Sequence, residues 1–292
     1  MNYLFHLLTS CCLYSIITVG LNLVVGMAGL PSFGHAAFAA VSSYAAALTA
    51  LHLGVSPWIG ILIGTAVASL AGAVVGAVSL RLREDYLALA TFGIGLLVAS
   101  VARNWTSMTR GPLGLGNLPT LTLGPCSLGS PPAFFAVSAL ALLASFLFSY
   151  CVAASPFGRV LRAIREDEIA IMTYGKNTTR YKVTIFTVGA ALAGLGGSLT
   201  AFYVQYISPD TFTVMDSVLL VLMVILGGMG SLGGPLLGAF VLVLAPEILR
   251  FVGLPAGIAP WARQLIYGAL LVALMLRRPQ GVLGRVSSGP VR

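Results

Sequence analysis

Residues 58–80, WIGILIGTAVASLAGAVVGAVSL, run from end to end without a charged side chain. That is long enough to cross the hydrocarbon core of a bilayer, which takes about 20 consecutive apolar residues. Further apolar segments recur at roughly 4–25, 35–53, 86–103, 132–153, 183–206, 214–227, 235–252 and 261–276, some with a charged residue near an end and those beside 227–235 short. Inside a bilayer every backbone N–H and C=O must be satisfied within the protein, so only helices and closed barrels span it. Apolar runs of this length, rather than short alternating ones, predict an all-α fold. The chain reads as a polytopic helical membrane protein of about 8–10 transmembrane segments. Some of these are broken by glycine-rich stretches.

Composition excludes the soluble alternatives. Only 8% of the 292 residues are charged, against about 25% in soluble domains. The net charge of +8 raises nucleic acid as a partner, but that needs basic residues clustered on a soluble face. Here most of them stand at the ends of apolar segments, and no nucleic-acid binding is expected. Cys11, Cys12 and Cys151 lie in or beside apolar segments and Cys126 stands alone in a loop. They form neither metal-ligand spacings nor a disulfide framework. No P-loop, HExxH or GxSxG pattern occurs. No catalytic residue, metal or cofactor is therefore assigned. MNYLFHLLTSCC has no basic n-region and reads as a first span, not a signal peptide.

Two junctions are glycine-rich, GMAGLPSFG at 26–34 and GGMGSLGGP at 227–235. Each reads either as a surface loop or as a helix break at membrane depth, tolerated where it lines a cavity or is buried in protein. Orientation follows from lysine and arginine. With 155–182 in the cytoplasm, Arg81, Arg83, Arg159, Arg162, Arg165, Lys176, Arg180, Lys182, Arg277, Arg278, Arg285 and Arg292 are inside. Arg103, Arg110, Arg250 and Arg263 are outside. That asymmetry places the N-terminus outside and the C-terminus in the cytoplasm, with 104–131 and 207–213 facing outward.

The scarce charge gathers in SPFGRVLRAIREDEIAIMTYGKNTTRYK, residues 155–182. Ser155-Pro156 is an N-cap with proline at the first helical position, and Gly175 suits the position past a helix end. Between them lies a helix of about 18 residues, roughly 27 Å. Val160, Leu161, Ile164, Ile171 and Met172 form an apolar stripe interrupted by Glu168. Arg159, Arg162, Arg165, Glu166 and Asp167 occupy much of the rest, with Arg162 and Glu166 as an i,i+4 pair. Two roles fit: an amphipathic helix on the headgroups, or a docking helix for a cytoplasmic protein. Three consecutive acids facing anionic lipid favour the second.

Few polar groups lie within the spans. Asn22, His35, Tyr44 and Thr91 are candidates for lining a pathway, while Asp216 and Glu247 read as interfacial, Glu247 paired with Arg250. So little intramembrane charge argues against a proton-coupled carrier.

Several long motifs stand in the order of a known family. They are GLNLVVGMAGLPSFGHAAFAAVSSYAAALTA (20–50), LREDYLALATFGIGLLV (82–98), RNWTSMTRGPLGLGNLP (103–119), GRVLRAIREDEIA (158–170) with YGKNTTRYK (174–182), and ISPDTFTVMDSVLLVLMVILGGMGSLGGPLLGA (207–239). The chain resembles the permease subunits of branched-chain amino-acid ABC importers, specifically the M-type of the two paired permeases. The resemblance implies a single permease domain over 1–292 in a bacterial inner membrane, with coupling loop 155–182 and cytoplasmic tail 277–292. It implies a second homologous permease, two cytoplasmic ATPase subunits and a periplasmic solute-binding protein as partners. Arg159, Arg162, Ile164, Arg165, Glu166, Asp167, Glu168 and Gly175 fall in the matching coupling segment. The implied cargo is leucine, isoleucine and valine, held at broken helices whose backbone meets ammonium and carboxylate. Cousins on this scaffold carry urea, short amides or other small solutes. From a different class, a stand-alone carrier or channel and a membrane scaffold remain as rivals.

Overall fold

In the computed structural model, residues 2–79, 84–123, 126–251, 268–269, 272 and 281–283 are described. The chain is all-α, a multi-pass membrane protein; among the described residues six helices are long and apolar enough to cross a bilayer, with two shorter apolar ones. Helix α1 (Asn2–Asn22) continues through a π-helical turn, Leu23–Met27, and α2 spans His35–Leu53. Then come α3 (Pro57–Ser79) and α4 (Glu84–Asn104). A non-membrane segment follows, with α5 (Thr106–Thr109), β1 (Leu115–Gly116), β2 (Thr122–Leu123) and β3 (Cys126–Ser127). The chain re-enters with α6 (Pro131–Ala154), and the charged loop holds α7 (Pro156–Glu166) and α8 (Glu168–Thr173). Last come α9 (Thr178–Val204), β4 (Tyr206–Ile207), α10 (Val214–Gly227) and α11 (Gly234–Phe251). Eight of the nine predicted segments thus appear as helices. The ninth, 261–276, and the tail 277–292 lie outside the described residues except for 268, 269, 272 and 281–283.

Helix α9 is the hub. It packs on α1, α2 and α3, and small residues permit the approach, as they do between membrane helices generally. A side chain at Gly197 would strike the Ala39 backbone, and one at Gly196 would strike Ile17. Ser42 donates to Gly194 O at 2.7 Å and also meets Ser198, so polar groups join the same face. Burial runs outward from there. About three quarters of α1 and α9 is buried, against about a quarter of α3, α4 and α6. Those three turn leucine, valine and phenylalanine outward, as lipid-facing helices do.

Away from the charged loop, β1 pairs antiparallel with β4, Leu115 against Ile207 and Gly116 against Tyr206. Arg103 at the end of α4 meets Asp210 at 2.6 Å. The two segments predicted to share one side of the membrane are therefore joined. Thr213 and Asp216 then start α10 with a reciprocal capping box, which is the place of Asp216 in the fold. Glu247 accepts a hydrogen bond from Tyr3; its predicted partner, the Arg250 side chain, lies outside the described residues.

Candidate functional site

The charged loop folds as its capping signals direct, with one correction. The Ser155 hydroxyl accepts from Gly158 N at 3.2 Å, with Pro156 at the first helical position. Leu161 and Ile164 are buried. The predicted helix to Gly175 is not continuous, however. Asp167 leaves the helix with extended backbone (φ −153) and its carboxylate caps a second helix, accepting from Ala170 N at 3.0 Å. Aspartate competes with a helix interior for its own backbone and favours the N-cap, so α7 and α8 meet at a corner. Gly175 closes α8 at φ +75, a conformation other residues rarely adopt.

The charges also distribute differently from the predicted stripe. Arg162 does not pair with Glu166; its Nη1 donates to Ala153 O at 3.2 Å, and Arg159 donates to Ala154 O at 3.3 Å. Both cap the last carbonyls of α6, where a cation also meets the negative end of the helix dipole. Glu168 pairs with Lys182 at 2.6 Å, tying α8 to α9. What faces solvent is apolar as well as charged: Ile169 is 72% exposed, Met172 50% and Tyr174 81%, beside Glu166 and Asp167.

Arg165, though exposed, reaches across to the glycine junctions. It donates to Gly26 O in the π turn of α1, and its stem lies against Gly29. There the two glycine junctions meet. Asn22 is buried and spans them: its Nδ2 donates to Ser231 O at 2.8 Å, and its Oδ1 accepts from Gly230 N at 3.0 Å. Gly230 takes φ +80, and its amide lies so close to Gly26 that no side chain fits between. A cavity of about 770 Å³ opens beside this crossing, lined by Gly26, Tyr150, Arg162, Arg165, Gly230 and Leu283.

The first junction then runs alongside α4 and α10. Phe33 N donates to Thr91 Oγ1 at 3.0 Å, and Ala36 N to Ser217 Oγ at 3.1 Å. Thr91 lies seven residues into α4, about 10 Å along the helix, so the start of α2 packs beside the body of α4 rather than at its end. His35 is fully buried there. Its Nδ1 lies 3.2 Å from Ser32 Oγ, and its ring meets Phe38 and Phe186 edge-on. Nε2 has no hydrogen-bond partner and faces Gly189. Tyr44 stands apart, in an apolar pocket of about 260 Å³ between α2 and α4.

Of the four predicted pathway residues, Asn22, His35 and Thr91 thus gather around the glycine junctions, and Tyr44 does not. Ser32, Ser217 and Ser231 complete the junctions. The sequence signal for Ser32 and Ser231 was their place in the glycine-rich stretches; Ser217, ten residues before the second, carried none.

The model of a protein family described as the branched-chain amino acid transport system / permease component matches residues 3–275. The high-affinity branched-chain amino acid transport system permease protein LivM of Salmonella typhimurium is 34% identical, over 94% of this chain and 68% of its own length. Its counterpart in Escherichia coli K12 is also 34% identical, over 93% and 68%. The high-affinity branched-chain amino acid transport system permease protein LivH of Salmonella typhimurium is 27% identical, over 93% of this chain and 91% of its own. No solved structure matches.

Proposed function

The chain belongs to the family of branched-chain amino acid transport permeases, and on that premise we propose that it forms half of the pathway of an ATP-driven importer for leucine, isoleucine and valine. A second, homologous permease supplies the other half. Two ATPases bind in the cytoplasm, and a solute-binding protein delivers the amino acid to the opposite face. The N-terminus lies outside and the C-terminus inside. The chain itself hydrolyses nothing and takes its energy from the ATPases.

The observation that carries this reading is the α7–α8 corner. Its inner side is fastened to α6, α9 and the glycine junctions. Its outer side offers Ile169, Met172 and Tyr174 among acidic residues. An exposed apolar group rimmed by charge marks a protein-binding surface. Closure of the ATPases on ATP would push this corner, and the helices it holds would alternate access to the pathway.

The test is extraction of the tagged chain from its native membrane in mild detergent. A second permease and P-loop ATPases are expected to co-purify. Recovery of the chain alone across several gentle detergents overturns the reading in favour of a self-sufficient carrier or channel. Uptake of labelled leucine by the reconstituted complex, in competition with urea and short amides, then identifies the cargo.

A further inference from the structure

The three arginines of α7 stand three residues apart and do two different jobs. Arg159 and Arg162 end on the last carbonyls of α6. Arg165 alone crosses to the glycine junctions, donating to Gly26 O and resting its stem on Gly29. The same guanidinium nitrogen borders Gly230 of the second junction. From Gly26 the contact passes directly to Gly230, and Asn22, one turn earlier, holds Gly230 and Ser231 from both ends of its amide.

We infer that Arg165 is a transmission residue, the side chain through which movement of α7 reaches α1, α2, α10 and α11 together. This rests on the reading that α7 and α8 meet an ATPase. Arg165 remains exposed, but its guanidinium is engaged inside the protein, which makes it a positioning residue rather than a docking contact. The carbonyl it holds belongs to a π turn, whose lengthened hydrogen-bond ladder leaves backbone groups for outside partners. A planar guanidinium can keep one N–H on Gly26 and still present others to the cavity. A shorter neutral amide cannot reach, and lysine offers only a point charge.

The test compares the whole complex carrying Arg165, Arg165→Gln or Arg165→Lys in liposomes, with ATP hydrolysis and solute uptake measured separately. Arg165→Gln is expected to retain the ATPases and their hydrolysis while uptake falls by about tenfold or more, within the usual range of coupling effects. Arg165→Lys should fall between. A second readout is thiol labelling of Met229→Cys, whose side chain borders the cavity. Its rate should change on adding ATP with Arg165 present and stay constant in Arg165→Gln. Full uptake by Arg165→Gln, or loss of the ATPases from it, overturns the inference and leaves the importer reading standing. Absence of ATPases from the unsubstituted chain overturns both.

Discussion

Asn22 shows what one polar residue in an apolar helix can be for. Its position in an uncharged run made it visible in the sequence, and a pathway role was the natural expectation. In the fold both ends of its amide are already engaged, on Gly230 and Ser231 more than 200 residues away. Local periodicity carries no record of such a partner. Replacing Asn22 by leucine removes two part-buried hydrogen bonds, to Ser231 O and from Gly230 N, each contributing about 0.5–1.5 kcal/mol. The purified protein should therefore lose thermal stability in detergent, read as a lower midpoint for aggregation on a sizing column. An unchanged midpoint would mean that the junction does not depend on the clamp. His35 makes the complementary point. It was legible as a polar group beside a break, but its surroundings of Phe38, Phe186 and Gly189 are set by packing between helices.

Among the elements, α7 and α8 were the most legible and also the most instructive. Ser155-Pro156 and Gly175 mark the ends as capping chemistry requires. Counting helical positions between them runs straight through Asp167, because periodicity does not weigh a single side chain's preference for the cap. The resulting corner moves the exposed apolar surface from a stripe along one helix to Ile169, Met172 and Tyr174. Substituting Ile169 and Met172 together by aspartate should release the ATPases on purification while the chain still inserts and elutes as a folded species. Retention of the ATPases by that variant would place docking elsewhere. The glycine junctions were found from composition alone. The placement of the first beside α4 and α10 was not, since that depends on Thr91 and Ser217 receiving the Phe33 and Ala36 amides.

Across the whole molecule, the fold class and eight helical segments, six of them long enough to cross a bilayer, followed from the lengths of apolar runs, a constraint the bilayer imposes without reference to tertiary structure. The arrangement around α9 did not, because it depends on which glycine faces which neighbour. Gly197→Val forces a branched side chain into the Ala39 backbone. Overpacking of this kind costs roughly 1–3 kcal/mol or more, and here the backbone has no room to yield. Membrane yield of the folded chain should fall sharply, measured by fluorescence-detected sizing of a tagged protein, whereas Gly93→Ala, with open space around it, should be silent. The short ladder of β1 on β4, with Arg103 on Asp210 beside it, joins the far ends of α4 and α9. At its other end α9 is tied to α8 by the Lys182–Glu168 pair. Helix α9 has 27 residues, about 40 Å of arm, so a tilt of only a few degrees about the ladder end carries its charged end through several ångströms. A small tilt is thus enlarged at the charged loop by the length of the helix, while the end held by the ladder keeps its place.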